Sequence, residues 1–234
     1  KNGFPIENKF KKSNYQFLPS LRSSVKAPKL EINDFKLKTN LVNNGQVAAN
    51  VIQINPVGTF TNHIKVKLEV KNHEVQWKKA NLNLIMVQDR YGKNNGNYTL
   101  GLVDRGISKD GAVGATWAHD HHNIMIMGTN INAMLKIQHQ LIDEQGGYVV
   151  AKGDEIIEDA PLPIGGVVSD EPMTKLGEKI SNIRQTLQDL GYKNTNEIMS
   201  FSTLSLLVSP QIKISDKGLF DVKSQKKIPL FEKL

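Results

Sequence analysis

From Asn62 to Val70 the chain alternates without a slip. Ile64, Val66, Leu68 and Val70 fall on one side of an extended backbone, and Lys65, Lys67 and Glu69 on the other. A period of two over this length predicts a strand with one face on a core and one in water. An antiparallel sheet supplies that environment, so an all-helical fold is excluded. The neighbouring stretches agree. VAANVIQI before it and NLNLIMVQD after it suit strands, the second more fully buried, and YTLGLVDRG is a further short strand.

Downstream the period changes. Asn123 to Met127 reads as a compact buried strand, and Thr129 or Asn130 can cap a helix. Ile131, Met134, Leu135, Gln138, Leu141 and Ile142 trace one helical face over 131–145, which Gly146 closes. GYVVAKGDEIIEDAPL reads as a hairpin turning at Gly153-Asp154. PIGGVVSDEP leads into a second helix with Pro172 in its first turn. Leu176, Ile180, Ile183, Leu187 and Leu190 form its stripe, and Gly191 ends it. SFSTLSLLV and QIKIS read as late strands broken by Pro210. The order predicts an α+β fold with a mixed, largely antiparallel sheet flanked by helices. Residues 1–40 carry no sustained period, and LPSLRSSVKAP is loop chemistry. A boundary near Asn40 is expected, with a largely peripheral basic arm or linker at 1–40 and a folded unit at 41–234.

The 234 residues contain no cysteine. That excludes disulfides, thiolate zinc sites, a cysteine nucleophile and the Cys-x-x-Cys signature of zinc deaminases. The net charge is +7, and the first 40 residues hold eight lysines and one arginine. Such an arm suits nucleic acid or an anionic membrane. The lysines are not interleaved with aromatics as in single-strand binders, so no nucleic-acid partner is expected. No apolar run approaches the ~18 residues of a bilayer span, so no membrane partner is expected either. A cytoplasmic location is the simplest expectation. The chain begins at Lys1 rather than Met, which suggests an internal position in a longer polypeptide.

GATWAHDHHNIMIMGTN places His119, Asp120, His121 and His122 in four consecutive positions, followed by Asn123. On an extended segment His119 and His121 share one face, a spacing used by metal sites, and His122 faces the other way with Asp120. A mononuclear zinc or manganese site would need further ligands. Asp170, Glu171 and, less suitably, His139 on the helix are the candidates. Three readings stay open: a local metal site, a contribution to a ligand site shared with another segment, and a structural turn. A second group, Ser169, Asp170 and Glu171, follows Gly165 and Gly166 at a helix start. Capping and dipole pairing are the ordinary uses of such residues there. No phosphate-binding glycine loop, Gly-x-Ser-x-Gly elbow or His-Glu-x-x-His motif occurs.

Several stretches together carry a resemblance: VGATWAHDHHNIMIMGTN, LIDEQGGYVVAKGDEI, APLPIGGVVSDEP and SFSTLSLLVSPQIKISDKGLFDV. In order and spacing, from about Leu18 to Phe231, the chain resembles the C-terminal domain of bacterial adenine deaminases of the amidohydrolase superfamily. KNGFPIENK resembles the last hairpin of a β-sandwich that precedes this domain. The resemblance implies an upstream catalytic barrel in the same polypeptide, holding a divalent metal, manganese or iron. It implies the hydrolysis of adenine to hypoxanthine and ammonia in purine salvage, by a homo-oligomeric enzyme. In this chain it implies no certain catalytic residue and no metal ligand. His119, Asp120, His122 and Asn123 match the family pattern, while His121 falls at a variable position. These four, with Ser169, Asp170 and Glu171, are expected to contact substrate or to support the barrel. This portion alone is expected to be inactive. The alternative is a stand-alone module that binds a purine or a partner without catalysis.

Overall fold

The structure is a computed structural model and describes residues 15–234, the side chain of Asn94 apart. The KNGFPIENK stretch lies outside the described residues. Strands β1 (Gly45–Ile54), β2 (Thr61–Lys71), β3 (Glu74–Val75), β4 (Asn83–Gln88), β5 (Tyr98–Asp104), β6 (Gly111–Ala115) and β7 (Ile124–Gly128) come first. Helix α1 (Ile131–Asp143) separates them from the hairpin β8 (Gly147–Lys152) and β9 (Glu155–Pro161). Helices α2 (Met173–Asp189) and α3 (Glu197–Ser202) follow. Short strands β10 (Ile212–Ser215), β11 (Gly218–Asp221), β12 (Lys226–Ile228) and β13 (Phe231–Lys233) end the chain.

The main sheet runs β3-β2-β1-β5-β4-β7-β6-β8-β9, with β13 added beside β1. Only β1 and β5 pair in parallel, so the sheet is mixed and largely antiparallel. β10, β11 and β12 form a separate small sheet. Helices flank the main sheet, and the expected α+β class holds.

The alternation of β2 does what its period requires: Leu68 and Val70 are buried while Lys65 and Lys67 are exposed. β4 and β7 are buried on both faces because both faces are covered. Leu84, Met86, Ile124 and Ile126 face a core closed by α1. Ile85, Val87, Met125 and Met127 face another closed by α2, α3 and the small sheet. Two apolar faces turn the alternating pattern into a continuous apolar run.

α1 begins where its cap predicts: the Asn130 side chain accepts from the amides of Asn132 and Ala133. α2 ends at Asp189 with Leu190 as its C-cap, and Gly191 follows at φ 88°, a left-handed conformation that glycine adopts without strain. Pro172 sits at the N-cap, one position before the first turn.

Two expectations are corrected. SFSTLSLLV is not a strand. It forms the end of α3 and a 3-10 turn at Thr203–Ser205. Asn196 caps α3 by accepting from the Met199 amide, and the hydroxyls of Ser200, Ser202 and Thr203 donate to carbonyls three or four residues back. Those local bonds satisfy the segment without a partner strand. The expectation of a largely peripheral arm fails over 25–37. Val25, Ala27, Leu30, Phe35 and Leu37 are all buried in the core under α1. Polar side chains of α1 and the turn after it hold this irregular segment. Gln138 accepts from the Leu30 amide and donates to the Pro28 carbonyl, and Gln145 bonds both the amide and the carbonyl of Val25. Buried backbone groups outside a ladder need such partners.

Candidate functional site

One end of the main sheet gathers the β6–β7 connection, the exit of β4 at Asp89-Arg90-Tyr91, α3 and the loop after β9. The β6–β7 connection carries the histidines. It is a turn over 119–121, and His122 is left-handed at φ 50°. The extended geometry that would pair His119 with His121 is therefore absent. His119 and His122 come together instead, with ring centroids 5.8 Å apart and edge-on, and Trp117 stands edge-on to His119 at 5.4 Å.

The loop is held from several sides. The His119 amide donates to the Ser202 carbonyl at 3.0 Å, and the Ser205 hydroxyl donates to the His119 carbonyl at 3.3 Å. The His122 amide donates to the Ala118 carbonyl at 2.6 Å. Tyr91 donates its hydroxyl to the His121 carbonyl at 2.8 Å. Asn123, 4% exposed, accepts from the Arg90 amide at 3.3 Å and donates to the Asp216 carboxylate at 3.1 Å.

The three rings differ. His121 turns inward, and its Nδ1 accepts from the Asn123 amide at 3.0 Å. Burial pushes its pKa down, against the pull of the Asp216 carboxylate. His122 is lowered by burial first and then by the neighbouring His119 and Arg90. Its Nδ1 is buried without a partner among the described residues. Asp120 is exposed to solvent.

Arg90 escaped the sequence reading. It is 3% exposed, lies over the Tyr91 ring at 4.6 Å, and donates to the Tyr91 hydroxyl at 3.1 Å and the Ser24 hydroxyl at 3.4 Å. Among the described residues its Nε has no partner and no carboxylate pairs with it. A charged pair, Asp89-Arg90, one residue beyond the apolar run LIMV was the available signal, since a charge there must be buried or turn sharply outward. Thr116 was also missed. It donates to the Gly166 carbonyl at 2.6 Å and ties the histidine loop to the loop after β9.

The second group is placed otherwise. The Ser169 hydroxyl accepts from the Glu171 amide at 3.2 Å. Asp170 pairs with Arg22 at 2.7 Å, and Glu171 with Lys175 at 2.7 Å and Lys179 at 3.3 Å. These cations lower both carboxyl pKa values. Among the described residues no hydrogen bond or ion pair joins this group to the histidines. His139 lies apart on α1, with its Nε2 3.0 Å from the Leu30 carbonyl. Among the described residues no group of three or more His, Asp or Glu is arranged to hold a metal ion.

The chemistry on offer is hydrogen bonding and proton transfer. Two imidazoles stand edge to face, His122 biased towards its neutral form, beside an exposed carboxylate. A neutral imidazole has one donor and one acceptor nitrogen.

Comparison with known proteins gives this arrangement its context. Residues 58–226 match the family described as the adenine deaminase C-terminal domain. An adenine deaminase of Lactobacillus delbrueckii subsp. bulgaricus is 64% identical over 99% of this chain and 41% of its own length. Adenine deaminase 2 of Oenococcus oeni is 48% identical over 98% of the chain and 40% of its own length. An adenine deaminase of Clostridium perfringens strain 13 is 46% identical over 95% and 38%. The chain thus spans about two fifths of the length of these curated relatives, and over that span it belongs to the adenine deaminase C-terminal domain family.

Proposed function

We propose that this chain is the C-terminal portion of an adenine deaminase, which hydrolyses adenine to hypoxanthine and ammonia, and that the histidine loop faces a catalytic barrel elsewhere in the same polypeptide. The observation that carries this reading is the braced loop. Contacts from α3, Tyr91, Arg90 and Asp216 hold His119 and His122 together at one end of the sheet, in a chain whose relatives named adenine deaminase are more than twice as long. A loop fixed on a rigid sheet presents polar groups accurately to a neighbour.

In this reading His119, Asp120 and His122 bond the purine directly or orient the groups that do, and Asn123 sets the loop. Ser169, Asp170 and Glu171 form a weaker second group at the rim. The described residues do not fit a metal centre. In this reading the divalent metal, manganese or iron, belongs to the barrel, and no step passes through it here. The barrel supplies the hydrolytic chemistry. This chain excludes water and adds hydrogen bonds where the purine's charge changes. The isolated chain is inactive. The enzyme is cytoplasmic, homo-oligomeric and serves purine salvage. Among the described residues no helix is long and apolar enough to cross a membrane.

The test is His119→Ala and His122→Ala in the full-length enzyme, with thermal stability and metal content measured beside kcat/KM. A loss of about 10–100-fold at unchanged stability supports the shared site. Full activity in the folded variants would refute it.

A further inference from the structure

At the end of the main sheet away from the histidine loop, the chain leaves a cleft of about 840 Å³. That lies within the ~300–1,000 Å³ typical of small-molecule sites. β4 separates the two ends: it begins at the cleft with Asn83 and stops at Gln88, two residues before Arg90. A strand of that length spans roughly 17–20 Å. The β1–β2, β3–β4 and β5–β6 connections and the segment after α2 meet around the cleft. Buried amides fix its floor. Asn83, 1% exposed, accepts from the Ile107 amide at 3.1 Å and donates to the Ile107 carbonyl at 2.9 Å. The amides of Ser108 and Lys109 both donate to the Leu190 carbonyl, at 2.9 and 3.0 Å. Asn194 donates to the carbonyls of Asn55 and Gly58 at 2.7 and 2.8 Å.

The side chains above that floor are charged and open to solvent. Lys78, Arg105, Lys109 and Lys193 line the cleft, all exposed, against the carboxylates of Asp104 and Asp110. Both acids are engaged. Asp104 accepts from the Gln53 amide group at 2.8 Å and lies 3.8 Å from Arg105 Nε, and Asp110 accepts from the Asn130 amide group at 3.2 Å. Among the described residues no carboxylate pairs with Lys78, Lys109 or Lys193. Four cations against two carboxylates leave two positive charges in excess around one concavity. Those cations repel one another, and the fold holds them together through the backbone contacts of the floor. Buried Trp77 and Ile107 supply low-dielectric wall, which focuses the field into the opening.

We infer that this cleft binds a small phosphate-bearing anion of more than one charge, whose phosphoryl oxygens accept hydrogen bonds from Lys78, Lys109 and Lys193. A single carboxylate would neutralise one lysine and leave the rest repelling. A phosphoryl group offers three acceptor oxygens in a tetrahedral array, which suits donors converging from separate connections, whereas a carboxylate offers two in a plane. The exposed Ser108 hydroxyl on the same wall adds a neutral donor. The cleft lies a strand's length from His119 and His122, so this inference does not rest on the catalytic reading, and failure of one leaves the other standing.

The chain is titrated with pyrophosphate by isothermal calorimetry at fixed ionic strength, with citrate as the carboxylate comparison. Saturable binding of pyrophosphate, tighter than of citrate, is expected, with amide shifts by NMR concentrated in 104–110 and 191–194. Lys109→Glu and Lys193→Glu should each weaken pyrophosphate about tenfold. Lys26→Glu makes the same change of net charge at the far end of β4, where the Lys26 amide donates to the Arg90 carbonyl. It should leave the affinity within about twofold, because exposed charges beyond the screening length barely interact. Thermal melts check that each variant folds. They also give a second readout: pyrophosphate should raise the Tm of the unsubstituted chain and leave that of the Lys109→Glu, Lys193→Glu double variant unmoved. No saturable binding of pyrophosphate, citrate bound as tightly, or equal weakening by Lys26→Glu and the cleft variants would overturn the inference.

Discussion

Arg90 and Gly166 are packed so closely that a Cβ on Gly166 would lie 1.7 Å from Arg90 Nη1. Gly166 is also left-handed, at φ 72°. The glycine therefore serves two ends: a backbone turn and a seat for a buried guanidinium. Gly166→Ala should destabilise the protein by roughly 2–3 kcal/mol, from left-handed strain plus displacement of Arg90. For a chain of this size that is a fall of about 4–12 °C in Tm, measurable by calorimetry. An unchanged Tm would mean that Arg90 can move without cost.

Arg90 is a buried cation whose described partners are hydroxyls. Removing such a charge for an apolar side chain of similar length need not destabilise the fold. Arg90→Met should leave stability within about 1–2 kcal/mol, because the lost bonds to Ser24 and Tyr91 oppose the relief from burying the charge. It should raise the pKa of His122, since a nearby cation disfavours the imidazolium and its removal reverses that effect. Titration of the His122 ring protons by NMR in both proteins checks the sign. A lower or unchanged value would show that the two groups do not interact.

Lys213 is fully buried on β10, its amine donating to the Thr59 carbonyl at 3.0 Å. Burial pushes its pKa down from 10.5 to about 7. Between those values the unfolded chain binds a proton that the folded chain does not, so this residue makes stability rise with pH from about 7 to about 10.5. Below pH 7 both states are protonated and its contribution levels off at its least favourable. Lys213→Met should remove that slope and gain roughly 1–3 kcal/mol at neutral pH, after the loss of the bond to Thr59. Urea unfolding at pH 6, 7.5 and 9 tests it, and an unaltered slope would count against a neutral buried amine.

What the sequence announced and what it concealed divide along local and non-local lines. The alternation of β2, the Asn130 cap and the Gly191 terminus are local signals, and each holds. The packing of 25–37 under α1 has no period to announce it. It depends on Gln138 and Gln145, more than a hundred residues away, bonding its backbone. SFSTLSLLV was misread because β-branched and apolar residues suit strands, while the deciding bonds were short-range hydroxyl contacts and a cap. At the histidine loop the residue types pointed to chemistry, but the pairing did not follow from spacing. One left-handed residue, His122, replaces alternation with a fold-back. Arg90 was hidden for a related reason: a charged pair at the end of an apolar strand does not reveal which way either side chain turns.

Asn123 and His119 occupy the same loop and should fail in different ways. Asn123 is buried and joins the Arg90 amide to the Asp216 carboxylate, so its side chain bridges β4, β7 and the β10–β11 turn. Asn123→Ala leaves both partners short of a bond and should cost roughly 2–4 kcal/mol, lowering Tm by several degrees in the isolated chain. The His119 side chain makes edge-on contacts with Trp117 and His122, while its backbone supplies the bonds to Ser202 and Ser205. His119→Ala keeps those backbone bonds and should cost no more than about 1 kcal/mol. Parallel thermal melts of the two variants, followed by activity in the full-length enzyme, separate the roles. Asn123→Ala is expected to lose stability first and activity through it, whereas His119→Ala keeps its fold and loses activity alone. Equal destabilisation by both would assign the whole loop to structure.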